Sequence, residues 1–285
     1  TILDFLGTGA FGTVYKAKIG NEFYAIKLLE NMDTTSNPQE NLTTIIKELI
    51  ALTKVNHEKI PKFNGIYHNK ETGKIGLIFT FIEGSTLNIH LEKNKLSKLQ
   101  KIDLIIQLTE ILKALHEKRV IHRDIKPKNT MVTPENKLIL IDFGISKVNT
   151  KTLDNTVSVK GSPAYSPPEA FVDTSDTEDR QFIISTKFDI WSLGCVIYEV
   201  FGGEKPWVKK YKDSNKIIFM LSKKKLIGEH GIPLIPTFST DYPEIFNLLK
   251  KCVAIEVDQR YSSEELLEKL IEIREIYKRR YCISY

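Results

Sequence analysis

Cysteine is scarce in this chain of 285 residues. Cys195, Cys252 and Cys282 are odd in number and nowhere spaced C-x-x-C, a pattern that suits a reducing compartment better than a disulfide framework. Long apolar runs are missing as well. The longest, around Ile190 to Phe201, is broken by Ser192, Gly194 and Glu199 and falls far short of the roughly 20 residues that cross a bilayer, so no membrane span is expected. Nor does one sign of charge dominate: 41 Lys and Arg face 36 Asp and Glu, and the net charge of +5 is spread along the chain. An excess that small gives no argument for a nucleic-acid or anionic-membrane partner. The start lacks an initiator Met, a basic leader and an apolar signal core, so the chain reads as an excised domain; it is the cysteine usage that points to an intracellular setting, in the cytoplasm first and the nucleus second. Its 41% hydrophobic and 27% charged residues are near average globular usage, which excludes a disordered scaffold for most of the length.

The pattern of what is present changes once along the chain. The first eighty or so residues carry short β-type runs at Thr13 to Ile19, Phe23 to Leu28 and Ile75 to Ile82, with one helical pattern between them. That helix is marked by Leu42, Ile45, Ile46, Leu49, Ile50 and Leu52. From Leu87 onward the pattern is mainly helical, with Ile102, Ile105, Ile106, Leu108, Thr109, Leu112 and Leu115 forming a stripe that runs up to His116. The boundary falls near Thr80 to Glu83. Asp173 to Asp179 reads as an exposed acidic insertion.

Gly7, Gly9 and Gly12 form G-x-G-x-x-G, followed by the alternating, β-branched and aromatic run Val14 to Ile19. A dinucleotide fingerprint needs a helix there and a Walker loop needs Lys after its last glycine, so the segment is expected to be a hairpin. Alone it leaves a ligand-free turn open; with a ligand, its backbone N–H groups can approach phosphate oxygens without side-chain obstruction. Lys27 closes the apolar strand Tyr24-Ala25-Ile26-Lys27 and needs a carboxylate to hold its charge if partly buried. Glu48 on the next helix is the first candidate, with Glu40 and Glu58 as alternatives.

Then come His122-Arg123-Asp124-Ile125-Lys126-Pro127-Lys128-Asn129 and Asp142-Phe143-Gly144. Here the sequence resembles the eukaryotic protein kinase family, whose H-R-D-x-x-x-x-N and D-F-G motifs are present in order. The resemblance continues through Gly161 to Glu169, Asp189 to Gly194 and Arg260, and so covers Leu6 to Arg260. It implies a two-lobed α+β fold, with a β-rich lobe over 1–82 carrying one helix and a mainly helical lobe over 83–285.

The resemblance also implies ATP-dependent phosphorylation of protein Ser/Thr hydroxyls. Asp124 would accept or orient the substrate hydroxyl proton, and Lys126 would stabilise the γ-phosphoryl oxygens. Asn129 and Asp142 would hold Mg²⁺, for which hard oxygen ligands are suited. Lys27, oriented by Glu48, would grip the other phosphates. Adenine would lie between Val14 and Ala25 on one side and Met131 on the other. Phe79 would be the gatekeeper, Thr80, Phe81 and Ile82 the hinge, and Thr86 would lie near the ribose. Lys126 two residues after Asp124 resembles the Ser/Thr class, and Ile145 suggests a threonine acceptor.

In this family the Arg before the catalytic Asp binds an activation-loop phosphate, so Arg123 and Lys147 imply regulation. Ser158 is the first candidate phosphosite and Thr156 the second, through an upstream kinase or autophosphorylation in trans. There are departures from the family pattern. Ser162 keeps a hydroxyl able to contact Asp124, Pro167 replaces Ala before Pro168-Glu169, and Lys128 argues against an Arg-directed subsite. Glu169 is expected to pair with Arg260. A catalytically silent pseudokinase scaffold is the alternative function, and a small-molecule kinase of related fold is a third.

Overall fold

The computed structural model describes residues 1–9, 12–29, 49, 54–55, 57–143, 147–148, 162–171, 185–207, 216–217 and 240–282. Glu48, Thr156, Ser158, Ile145, the side chain of Lys147, the acidic stretch 173–179 and nearly all of the helical pattern around residue 45 lie outside the described residues.

Alternating apolar and polar residues make strands, and five of them pair as one antiparallel sheet. They are β1 (Ile2–Gly9), β2 (Gly12–Ile19), β3 (Glu22–Leu28), β4 (Phe63–His68) and β5 (Ile75–Thr80), in the order β1-β2-β3-β5-β4. The expected hairpin after the first glycines is the turn between β1 and β2, where Gly9 pairs with Gly12. β5 stops two residues short of Ile82, its last pair with β3 being Tyr24 with Thr80. The chain leaves the sheet there to reach β6 (Ser85–Thr86) in the second half of the molecule.

Register sets the faces, because directly opposed residues share one. Val14, Lys27 and Leu77 make one row across β2, β3 and β5, and Lys16, Ala25 and Phe79 make the next.

The second half is mainly helical: α1 (Leu87–Lys93), α2 (Lys98–Glu117), α3 (Lys187–Gly202), α4 (Pro243–Cys252) and α5 (Ser263–Cys282). Between α2 and α3 run the short strands β7 (Val120–Ile121), β8 (Thr130–Val132), β9 (Leu138–Leu140) and β10 (Lys147–Val148). Ser97 starts α2 with a capping box, its Oγ accepting from the Gln100 N–H while the Gln100 side chain accepts from the Ser97 N–H; this satisfies two donors a helix start leaves unpaired. The α2 stripe is buried from Ile102 to Leu115.

α3 is buried on every side from Phe188 to Phe201. A helix apolar all round belongs in the middle of a core, and α3 supplies the axis of the helical half. Three polar side chains interrupt it: Asp189, Ser192 and Glu199, all buried. A buried polar group without a partner costs roughly 1–3 kcal/mol, so each of the three needs one. All three find it in the loops that build the site. The sheet and the helical half are the two lobes of the expected α+β architecture.

Candidate active site

β7 delivers His122, Arg123 and Asp124 to a loop whose backbone is held from below by α3. Asp189, in the first turn of α3, accepts the N–H of His122 on Oδ2 at 2.8 Å and that of Arg123 on Oδ1 at 2.8 Å. His116, at the end of α2, meets Oδ2 through Nε2 at 3.0 Å. Burial alone would raise the Asp189 carboxyl; the His116 hydrogen bond and the backbone N–H groups outweigh it and hold the group below the usual carboxylate range. Arg123 has φ of +71°, a left-handed conformation that costs roughly 1–3 kcal/mol in a residue with a side chain. The charge-assisted bond to Asp189 offsets that strain.

Asp124 is buried and receives two donors on one oxygen: Lys126 Nζ at 2.6 Å and Asn129 Nδ2 at 2.7 Å, both to Oδ2. Asn129 Nδ2 also donates to the Asp124 carbonyl at 2.9 Å. Both hydrogens of that amide are therefore used toward Asp124. Its Oδ1, a hard neutral donor of the kind Mg²⁺ takes, is left for another partner. Lys126 Nζ donates in addition to Ser162 Oγ at 3.1 Å. The contact expected between Ser162 and Asp124 thus runs through the lysine ammonium.

Lys27 reaches across from the sheet. Its Nζ lies 2.8 Å from Asp142 Oδ1, and the lysine is buried. Asp142 also has a left-handed backbone, with φ of +66°. The next residue, Phe143, is buried edge-on against the His122 ring, with centroids 4.9 Å apart. Burial pushes the His122 imidazole down from its ordinary value, so the ring beside Phe143 is neutral at physiological pH.

Register sets where the residues read as an adenine pocket stand. Val14, Ala25 and Phe79 lie on the face that carries Lys27 toward Asp142, and Thr86 is opposed to Met131 between β6 and β8. Thr80 ends β5, and Ile82 lies half-buried in the connection beyond it. Gly7 and Gly9 are on β1, in pairs with Val14 and Gly12. Gly12 has a reason of its own. With φ of +139°, a Cβ there would stand 1.9 Å from the Leu28 carbonyl oxygen, so β2 can approach β3 only without a side chain at that position.

The other two polar residues of α3 fix the segment after the loop. Tyr165 donates its hydroxyl to Glu199 Oε2 at 2.5 Å, and Ser192 Oγ donates to the Tyr165 carbonyl at 2.8 Å. Burial raises the Glu199 carboxyl, and burial together with Glu199 raises the Tyr165 hydroxyl. A little further on, Glu169 receives both terminal amino groups of Arg260. Of these supports, sequence reasoning anticipated only the last. The roles of His116, Asp189, Ser192, Tyr165 and Glu199 were missed; the available signal was three polar residues inside an otherwise unbroken apolar helix.

A profile of the protein kinase domain matches residues 1–270. The chain belongs to the protein kinase family. Among its relatives, Serine/threonine-protein kinase 10 of Homo sapiens is 33% identical over 269 residues, which is 94% of this chain and 26% of that protein. Mitogen-activated protein kinase kinase kinase 1 of Arabidopsis thaliana is 31% identical over 276 residues, 93% of this chain and 40% of that protein. This kinase domain therefore spans about a quarter of the first of these relatives and two fifths of the second. No helix among the described residues is long and apolar enough to cross a membrane.

Proposed function

We propose that this kinase domain transfers the γ-phosphoryl group of ATP to serine and threonine hydroxyls of proteins. The observation that carries the reading is the convergence of Lys126 and Asn129 on one oxygen of the Asp124 carboxylate, together with the Lys27–Asp142 pair that joins the lobes. Phosphoryl transfer passes through a loose transition state, so it asks a protein for positioning and charge stabilisation more than for covalent chemistry.

Asp124 is the group that accepts or orients the substrate hydroxyl proton, and its Oδ1, which takes neither the Lys126 nor the Asn129 bond, is the oxygen assigned to that hydroxyl. Lys126, placed between Asp124 and Ser162, stabilises the γ-phosphoryl oxygens. Lys27 holds the non-transferred phosphates. Asn129 Oδ1 and the Asp142 carboxylate are hard oxygen donors of the kind Mg²⁺ takes and would hold it, and when bound it would neutralise phosphate charge. Val14, Ala25, Phe79, Thr80, Ile82, Thr86 and Met131 receive the adenine and ribose, with Gly7, Gly9 and Gly12 over the phosphates and Glu48 orienting Lys27. The division between the lobes is put after residue 82.

Lys126 next to Asp124 and the Ser/Thr kinases among the relatives favour the Ser/Thr assignment over a pseudokinase scaffold. Regulation by phosphate is supported by Arg123, whose Nε is buried without a hydrogen-bond partner among the described residues and whose guanidinium is pushed down from its ordinary value by burial. An anion there would relieve both conditions. Lys147 would assist, with Ser158 or Thr156 phosphorylated by an upstream kinase or in trans.

The test is phosphate transfer from radiolabelled ATP to mixed peptide and protein substrates. Replacing Asp124 with Asn should lower the rate roughly 10²–10⁴-fold, the size of a general-base contribution. Equal turnover by both proteins, or transfer only to metabolites, would end the reading.

A further inference from the structure

Two serines stand side by side at the start of α5, and they do different work. Ser262 caps the helix: its Oγ accepts the Glu265 N–H at 3.2 Å, and its own N–H donates to Glu265 Oε2 at 2.7 Å. That capping box needs nothing from Ser263. The Ser263 hydroxyl, which is buried, meets His116 Nδ1 at 3.1 Å instead. No other hydrogen bond to Ser263 Oγ is found among the described residues.

The direction of that bond can be worked out. Asp189 is held ionised, and an ionised carboxylate only accepts, so His116 Nε2 must carry the hydrogen in their 3.0 Å contact. A neutral ring then has a lone pair on Nδ1, and the Ser263 O–H donates to it. With both ring nitrogens occupied, the imidazole has one orientation and one tautomer. Asp189 in turn keeps both oxygens aligned with the N–H groups of His122 and Arg123.

We propose that Ser263 is a positioning residue for phosphoryl transfer: it fixes the His116 tautomer, and His116 orients the Asp189 carboxylate that holds the catalytic loop. The inference rests on the kinase reading only for its rate readout. The geometry it describes is independent of substrate. Four bonds link the first residue of α5 to the backbone that presents Asp124. Ser263 touches neither nucleotide nor acceptor, so it acts on the rate through alignment. Small misplacements of a catalytic group are costly in rate even when the fold survives.

The experiment compares Ser263→Thr, Ser263→Val and Ser263→Ala with the wild type. Thr and Val have nearly the same size, so their difference isolates the hydroxyl from packing. Two quantities are read: kcat and KM for ATP with a peptide acceptor, and the His116 ring by histidine-selective ¹⁵N NMR, assigned by loss of its signal in His116→Gln. The Thr variant should keep kcat within about twofold and the wild-type tautomer. The Val and Ala variants should lose roughly three- to tenfold in kcat at unchanged KM for ATP, with a ¹⁵N pattern showing mixed tautomers or a protonated ring. Val and Ala variants with wild-type kcat and an unshifted ring would overturn the proposal, and so would a Thr variant as impaired as Val. If Val proves too poorly folded for kinetics, the Ala and Thr pair decides by the same two readings. Absence of transfer in the wild type would strike the kinase reading instead, and the NMR comparison would still decide the role of Ser263.

Discussion

Arg260 grips Glu169 with both ends of its guanidinium fork, at 2.5 and 2.8 Å, from 91 residues further along the chain. The arginine is buried, lies 4.9 Å from the centroid of the Trp191 ring, and donates its Nε to the Ala254 carbonyl at 2.8 Å. A planar, permanently charged fork is the only side chain that can meet a carboxylate, two loop carbonyls and an aromatic face together. The pair ties the end of the 162–171 segment to the loop before α5.

Breaking that pair from one side should therefore be severe. Arg260→Met leaves the Glu169 carboxylate and several carbonyls without their donor, a loss of about 3–5 kcal/mol for a buried ion pair. Arg260→Lys should recover little of it, because an ammonium cannot reproduce the two parallel bonds. Thermal unfolding of the three proteins checks this. A Lys variant with the wild-type midpoint would contradict it.

Asp189 offers a sharper test of function. Asn at this position keeps the shape but turns an NH₂ toward one of the donors it now accepts, so either the His116 contact or a loop N–H is lost. We expect kcat to fall roughly tenfold to a hundredfold, as for other misalignments of a catalytic group, while KM for ATP stays nearly constant because the sheet residues are untouched. A KM effect without a kcat effect would show that Asp189 does not act through the loop.

How much of this was legible beforehand depends on the kind of signal. The hairpin at Gly9 and Gly12, the strand that carries Lys27 and the α2 stripe follow from local periodicity, and they are where expected. Lys27, Asp124, Lys126, Asn129 and Asp142 could be named from motif letters, and the structure shows them in two hydrogen-bonded groups, Lys27 with Asp142 and Lys126 and Asn129 with Asp124. Asp189 could not be assigned its task that way. Two of its three partners are backbone N–H groups 66 and 67 residues away, and backbone groups leave no letter in a sequence. Lys27 shows another limit: charge balance asked for a carboxylate, and helical spacing suggested Glu48. The partner the structure shows is Asp142, from the other lobe, while Glu48 lies outside the described residues. Local patterns report what a segment needs, but not which distant segment supplies it.

Gly12 separates two uses of a glycine-rich loop. A Cβ at Gly12 would collide with the Leu28 carbonyl at 1.9 Å, whereas one at Gly7 would meet nothing within 4 Å. Gly12→Ala should push β2 away from β3 next to Lys27, raising KM for ATP several-fold and lowering the unfolding temperature. Gly7, with φ of +159° but open space around a Cβ, would be strained by alanine without any collision, so Gly7→Ala should lower the unfolding temperature much less than Gly12→Ala, and a rise in its KM reports mainly on the ligand. Equal destabilisation by the two changes would refute the distinction.

Glu199 makes a prediction about pH whose sign is opposite to that of most carboxylates. Burial raises its carboxyl in the folded protein, against the lowering effects of the Tyr165 hydrogen bond and Lys205. In the unfolded chain the same group titrates near 4.3. As pH rises from about 4.3 toward the folded value, the unfolded state has given up its proton and the folded state has not. The unfolded state then binds fewer protons, and stability falls with rising pH across that window. Gln cannot ionise, yet its amide oxygen can still accept from Tyr165. Glu199→Gln should therefore change the unfolding temperature little near pH 4 and raise it progressively toward neutrality, relative to the wild type. Unfolding scans of both proteins at half-unit steps from pH 4 to 8 would show the two curves diverging. Parallel curves would mean that Glu199 keeps an ordinary affinity for its proton inside the core.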